Sequence, residues 1–132
     1  MKTKADAVRG WLRKAESDLT NVKVCLAADQ ALDTAAFHAQ QAAEKYLKAY
    51  MVSYDIEFPF IHNLEKLVEL CALRDSAFFE IKEMAQSLTP YAVSMRYDED
   101  FWPDRKTIEE ALYYADKIKE FVLKRLPNEL GI

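Results

Sequence analysis

The sequence predicts an all-α fold: a single antiparallel, up-and-down bundle of about five helices. Three observations carry this. Apolar residues recur at three- and four-residue steps through most of the chain. Only two glycines occur, Gly10 and Gly131, both near the termini, too few for the many tight turns of a β-sandwich. The 132 residues are 51% hydrophobic and 30% charged, a balance that supports one globular core rather than disorder.

The first helix is expected from about Ala5 to Asp29, with Val8, Trp11/Leu12, Ala15, Leu19, Val22 and Leu26 as its inner stripe. Gly10 weakens its start. Asp33 or Thr34 is suited to cap a second helix that runs to about Ser53. Its apolar arc is alanine-rich (Ala36, Ala39, Ala43, with Tyr46, Leu47 and Tyr50), which lets neighbours approach closely and makes it the central helix. Phe37 falls on the polar side and needs cover from another helix or another subunit. Residues 55–61 contain Pro59 and break the helix. A short third helix follows from about Asn63 to Leu73. A fourth starts near Asp75 and is kinked or interrupted at Pro90, because proline removes a backbone donor and clashes with the preceding turn. Tyr91 to Arg96 continues as helix beyond it, and Tyr97 to Pro103 is a loop. Asp104 serves as cap or first-turn acid of a last helix, Arg105 to Leu126, which Pro127 stops. The domain occupies 1–132, with its core at about 5–126.

A phosphate-binding loop, a dinucleotide turn and a strand-to-helix nucleophile elbow all need internal glycines, and the chain has none between Gly10 and Gly131. The net charge of −4 and a pI near 5.2 make a general nucleic-acid coat a poor fit, although a local basic spot is compatible with them. Cys25 and Cys71 lie far apart within apolar patterns and read as buried, reduced thiols. No metal site or cofactor is expected, since there is no C-x-x-C and only two histidines, His38 and His62. No apolar run approaches the roughly 20 residues that span a bilayer, and no secretory segment opens the chain, so a cytoplasmic home without membrane contact is expected.

The second helix carries Ala36-Phe37-x-x-Gln40-Gln41-Ala42-x-Glu44-Lys45-x-Leu47-Lys48-Ala49. Glu44 and Lys48 stand at i,i+4 in the favourable order for a local ion pair. Alternatively, Gln41, Lys45 and Lys48 present donors to a phosphate or an acidic partner. This stretch resembles the signature of the HEPN domain (higher eukaryotes and prokaryotes nucleotide-binding). His62-Asn63-Leu64-x-x-Leu67 resembles that family's second block, and Arg96-Tyr97 its third, in the right order along nearly the whole chain.

The resemblance implies a small helical bundle that forms a homodimer. It also implies a minimal nucleotidyltransferase as partner, in a toxin–antitoxin or nucleotide-handling pair, with a nucleotide or RNA as ligand. The residues that match the motif, Gln41, Lys45, Lys48, His62, Arg96 and Tyr97, are the candidate ligand- or partner-binding set. Many members are metal-independent ribonucleases, whose arginine is followed after four to six residues by a histidine. Histidine moves the proton of the attacking 2′-hydroxyl and arginine steadies charge on the phosphate. Here no histidine follows Arg96 anywhere, and Arg9, Arg13 and Arg74 lack one at that spacing. The resulting expectation is a non-catalytic module with no catalytic residues. A ribonuclease toxin is the disfavoured alternative.

Three further features keep two readings each. His62 is a structural cap or packed loop histidine, or a ligand contact. Asp98, Glu99, Asp100 and Asp104 form a solvated acidic loop, or a hard-cation site. Phe101 and Trp102 cover a core edge, or belong to a partner surface. His38 reads as an ordinary helix-surface residue.

Overall fold

The structure, a computed structural model, describes residues 1–132 and contains helices and turns but no strand. Six α-helices follow in order: α1 Lys4–Ala28, α2 Leu32–Ser53, α3 Leu64–Ala72, α4 Lys82–Leu88, α5 Tyr91–Tyr97 and α6 Arg105–Leu123. Short 3₁₀ turns occupy Ser76–Ile81 and Asn128–Leu130. No helix is long and apolar enough to cross a membrane.

The α1 start is fixed by a capping box: the Thr3 hydroxyl accepts from Asp6 N, and the Asp6 carboxylate accepts from Thr3 N. Only three residues link α1 to α2, so the two long helices must form an antiparallel hairpin. Side-chain bonds between them fix the register, with Lys4 bonded to Asp55 at one end and Glu16 to Tyr46 further along. The reversal places Asp29 and Ala31 at φ 54°. The helix therefore starts at Leu32, before the expected cap. Neither Asp33 nor Thr34 caps it. Thr34 Oγ1 instead donates back to the Ala31 carbonyl, and Asp33 lies in the first turn, where the helix dipole favours an acid.

Helix α6 runs back along α1: Arg105 meets the Leu26 carbonyl and Lys119 pairs with Glu16. The short helices α3 to α5 also pack against α2, which is therefore the central helix, as its alanine arc predicts. Ala36, Ala39 and Ala43 are fully buried, and around them Tyr46, Tyr50, Phe78 and Ile118 fill the core. Each such large side chain contributes about 1.5–3 kcal/mol by leaving water.

Asn63 caps α3 by accepting from Lys66 N, so the cap is the neighbour of His62 and not His62 itself. Asp75 caps the 3₁₀ turn. The expected fourth helix is thus divided into that turn, α4 and, beyond Pro90, α5. Asp104 caps α6 through Thr107 N. Helix α6 ends three residues short of Leu126, because the Arg125 side chain takes the Phe121 carbonyl and pairs with Asp75. Phe37 finds its cover within the chain, from α5. Phe101 packs on the core edge beside Tyr91, whereas Trp102 is 75% exposed.

Candidate functional site

The central helix sets three polar clusters in place. The first joins its Gln40, Glu44 and Lys48, each one helical turn apart, to the loop before α3. Lys48 Nζ lies 2.9 Å from Glu44 Oε2, and both side chains are almost fully buried. His62 Nδ1 donates to Glu44 Oε1 at 2.9 Å. Gln40 Nε2 donates to the same oxygen at 3.2 Å and to the His62 carbonyl at 3.0 Å. Gln41 donates to Gln40 Oε1 at 2.7 Å. Burial pushes the Glu44 carboxyl up, but the His62, Lys48 and Gln40 contacts outweigh it and leave it below its ordinary value. Lys48 is 7% exposed and its ammonium also faces the rings of Trp11 and Phe58, at 5.5 and 5.3 Å. The i,i+4 pair is therefore a buried ion pair rather than a solvated surface one. His62, through its ring to Glu44 and its carbonyl from Gln40, pins the α2–α3 loop onto α2.

The second cluster is centred on Asp18 of α1, 6% exposed. Its two oxygens take Lys45 Nζ at 2.7 Å and His38 Nδ1 at 2.8 Å. His38 is thus not an ordinary surface residue; Asp18 fixes its ring and leaves Nε2 unengaged. The sequence held a signal for this: Asp18 falls on the stripe of Ala15, Leu19 and Val22, where an acid needs a partner.

The third cluster is Arg96 and Tyr97, in the last turn of α5. Buried Ala92 seats this helix in the fold, and Arg96 Nη2 donates to its carbonyl at 3.0 Å. The guanidinium lies 5.2 Å from the Phe37 ring and 5.6 Å from the Tyr97 ring. It forms no ion pair, although Asp98, Glu99 and Asp100 follow directly. Asp98 Oδ1 instead accepts from Asp100 N. Tyr97 is 76% exposed. No three acids, cysteines or histidines gather in a form that could hold a metal ion.

The candidate residues are therefore not one constellation. Gln41, Lys48 and His62 belong to the first cluster, Lys45 to the second, Arg96 and Tyr97 to the third. Phe37 links the last two, since the His38 ring packs against it at 5.4 Å and Arg96 lies over it. The surface carries two grooves. One, of about 430 Å³, runs along Pro59, Ile61, Leu70 and Leu73; the other, of about 380 Å³, lies on α1 at Gly10 and Trp11. None of the six candidate residues lines either groove.

The fold is an all-helical bundle whose central helix carries a Gln40–Glu44–Lys48 network joined by His62, with Arg96 free of carboxylates in a separate cluster. The family model for the HEPN domain matches residues 8–126, and the chain belongs to the HEPN domain family. A crystal structure of TT1696 from Thermus thermophilus is similar, with 29% identity and a TM-score of 0.76, covering 90% of this chain and 98% of that one. The crystal structure of ST0689, described as an archaeal HEPN homologue, shares the fold at 22% identity and a TM-score of 0.72, covering 96% of this chain and 100% of that one. No curated protein matches the chain.

Proposed function

We propose that this HEPN domain is a non-catalytic module that binds a nucleotide or RNA, or pairs with a minimal nucleotidyltransferase in a toxin–antitoxin type system. Arg96 and Tyr97 form its contact surface. One observation carries the reading: Arg96 is held between two aromatic rings with no carboxylate on it, despite three acids in the next four residues. A guanidinium kept free in this way is suited to two parallel bonds to a phosphate, with Tyr97 to stack on a base. Gln41, Lys45, Lys48 and His62 support that surface by fixing α2. His62 is the one of these whose side chain is half exposed, which suits a direct contact.

The functional unit we propose is a homodimer. Val93, Tyr97 and Trp102 are large apolar side chains left exposed on α5 and the loop after it, a surface a second copy would cover. Two free cysteines suit a cytoplasmic setting. Light scattering from 1 to 100 μM (roughly the range where weak dimers form) tests the dimer. A monomer near 15.3 kDa throughout refutes it.

A second reading, an RNA-cleaving toxin, has one observation in its favour. His38, oriented by Asp18, packs on the same Phe37 ring that Arg96 covers, so folding supplies a histidine that the sequence after Arg96 lacks. The test serves both readings. Wild type, Arg96→Ala and His38→Ala are incubated with labelled RNA, then titrated with ATP and with a minimal nucleotidyltransferase. The non-catalytic reading expects intact RNA and weaker binding by Arg96→Ala. Cleavage by wild type that both variants lose establishes the second reading. Equal binding by wild type and Arg96→Ala to every ligand removes Arg96 from the site.

A further inference from the structure

Two features of the surface stay without a partner in the folded chain, and their chemistries match. The first is the groove of about 430 Å³ along α3. Its walls are Pro59, Ile61, Leu70 and Leu73, and its rim holds Lys66 and Glu69. Leu73 is 85% exposed, and Phe60, between two of the wall residues, is fully exposed. Glu69 is shared by Lys82 at 3.1 Å and Lys66 at 3.9 Å, so the rim carries two cations against one acid. The second feature is the loop after α5. Trp102 projects from it, 75% exposed, just after Asp98, Glu99 and Asp100. None of these three exposed acids meets a cation; Asp98 only accepts from Asp100 N.

We propose that the groove on α3 seats Trp102 of a second copy of this chain, with the three acids of that loop facing Lys66 and Lys82. The inference rests on the homodimer proposed above and names what covers the exposed loop in it. Three arguments point to a second copy as the occupant. The groove is apolar and has room for one bulky aromatic group. The charges are complementary: a loop with three unneutralised acids meets a rim with a cation in excess, which speeds encounter and fixes orientation. The area also suffices. A buried aromatic side chain covers about 150–250 Å². Trp102 and Phe60, with Leu73, in two contacts related by a two-fold axis, come to roughly 1,000 Å², the lower end for a specific interface. The two-fold arises because each copy owns one loop and one groove, so the contact repeats in reverse and closes the dimer. It uses neither Arg96 nor Tyr97.

The experiment is light scattering of the full chain as wild type, Trp102→Ala, Leu73→Asp and an equimolar mixture of the two variants. Both positions are exposed, so both variants should fold, which circular dichroism equal to wild type checks. Trp102→Ala keeps the groove and loses its occupant; Leu73→Asp keeps the occupant and spoils the groove. Each alone should dimerise at least about tenfold more weakly than wild type. The mixture retains one intact contact, groove from the first variant and tryptophan from the second. It should associate at least about tenfold more tightly than either variant alone. Wild type that stays monomeric refutes the homodimer and this inference with it. Leu73→Asp that dimerises as wild type does, or a mixture no tighter than its components, overturns this inference and leaves the homodimer standing.

Discussion

Replacing Glu44 by alanine strikes the contact on which most of the first cluster converges. In the folded chain this carboxylate is 4% exposed and takes Lys48 at 2.9 Å, His62 at 2.9 Å and Gln40 at 3.2 Å. Alanine leaves the Lys48 ammonium buried with only the Trp11 and Phe58 rings to face. Breaking a buried pair on one side costs about 3–5 kcal/mol, because the surviving charge has neither water nor a counterion. Against a total stability of about 5–15 kcal/mol, this is a large fraction. The expected drop in melting temperature is roughly 10–20 °C for a chain of this length. Thermal denaturation followed by circular dichroism measures it. Replacing both partners, Glu44→Leu with Lys48→Met, should recover most of the loss, since no lone charge then stays inside. The pH dependence follows from the same group. The folded Glu44 titrates below its ordinary 4.5, so its stabilisation is present above the unfolded value and is lost as pH falls through the folded one. Wild-type stability should therefore fall below about pH 4.5, and the slope there should be shallower in Glu44→Ala. A Glu44→Ala protein within about 1 kcal/mol of wild type would refute the argument that this network is buried and structural.

Ala43→Leu should destabilise by about 1–3 kcal/mol, because Ala43 is fully buried where α2 meets its neighbours; a chemical-denaturation midpoint equal to wild type contradicts that packing. Gly10→Ala should stabilise by roughly 0.5–1 kcal/mol, since a glycine inside α1 costs backbone entropy and the added methyl meets nothing within 4 Å; an unchanged or lower melting temperature counts against it. Burial pushes the Cys71 thiol up to about 12, so at pH 8 (roughly the ordinary range of a thiol) it should react with a disulfide reagent only as fast as the chain unfolds; immediate labelling of two thiols in native protein would show that Cys71 is open to solvent.

The sequence by itself determined the helical class, the central place of α2 and most element boundaries. These are written in local spacing. Alanines at helical intervals mark a close-packed face, and Asp75, Pro90, Asp104 and Pro127 act on backbone groups within a few residues. The α2 start was not legible, because the reversal rests on left-handed Asp29 and Ala31, which the meeting of α1 with α2 imposes and no side chain there announces. Family membership was legible as well, since its three blocks are linear. What those residues do was decided only in three dimensions. Glu44 and Lys48 satisfy an i,i+4 surface rule, yet the Trp11 and Phe58 rings face Lys48, His62 and Gln40 bond Glu44, and the pair is a buried one. His38 looked solvated until α1 brought Asp18 against it from twenty positions away. Arg96 had three nearby acids to pair with, yet α5 directs it onto Phe37 instead. Local backbone preference acts over one turn of chain and so can be read along the sequence. The protonation, exposure and partner of a side chain depend on which distant elements surround it, and only the folded chain brings those elements together.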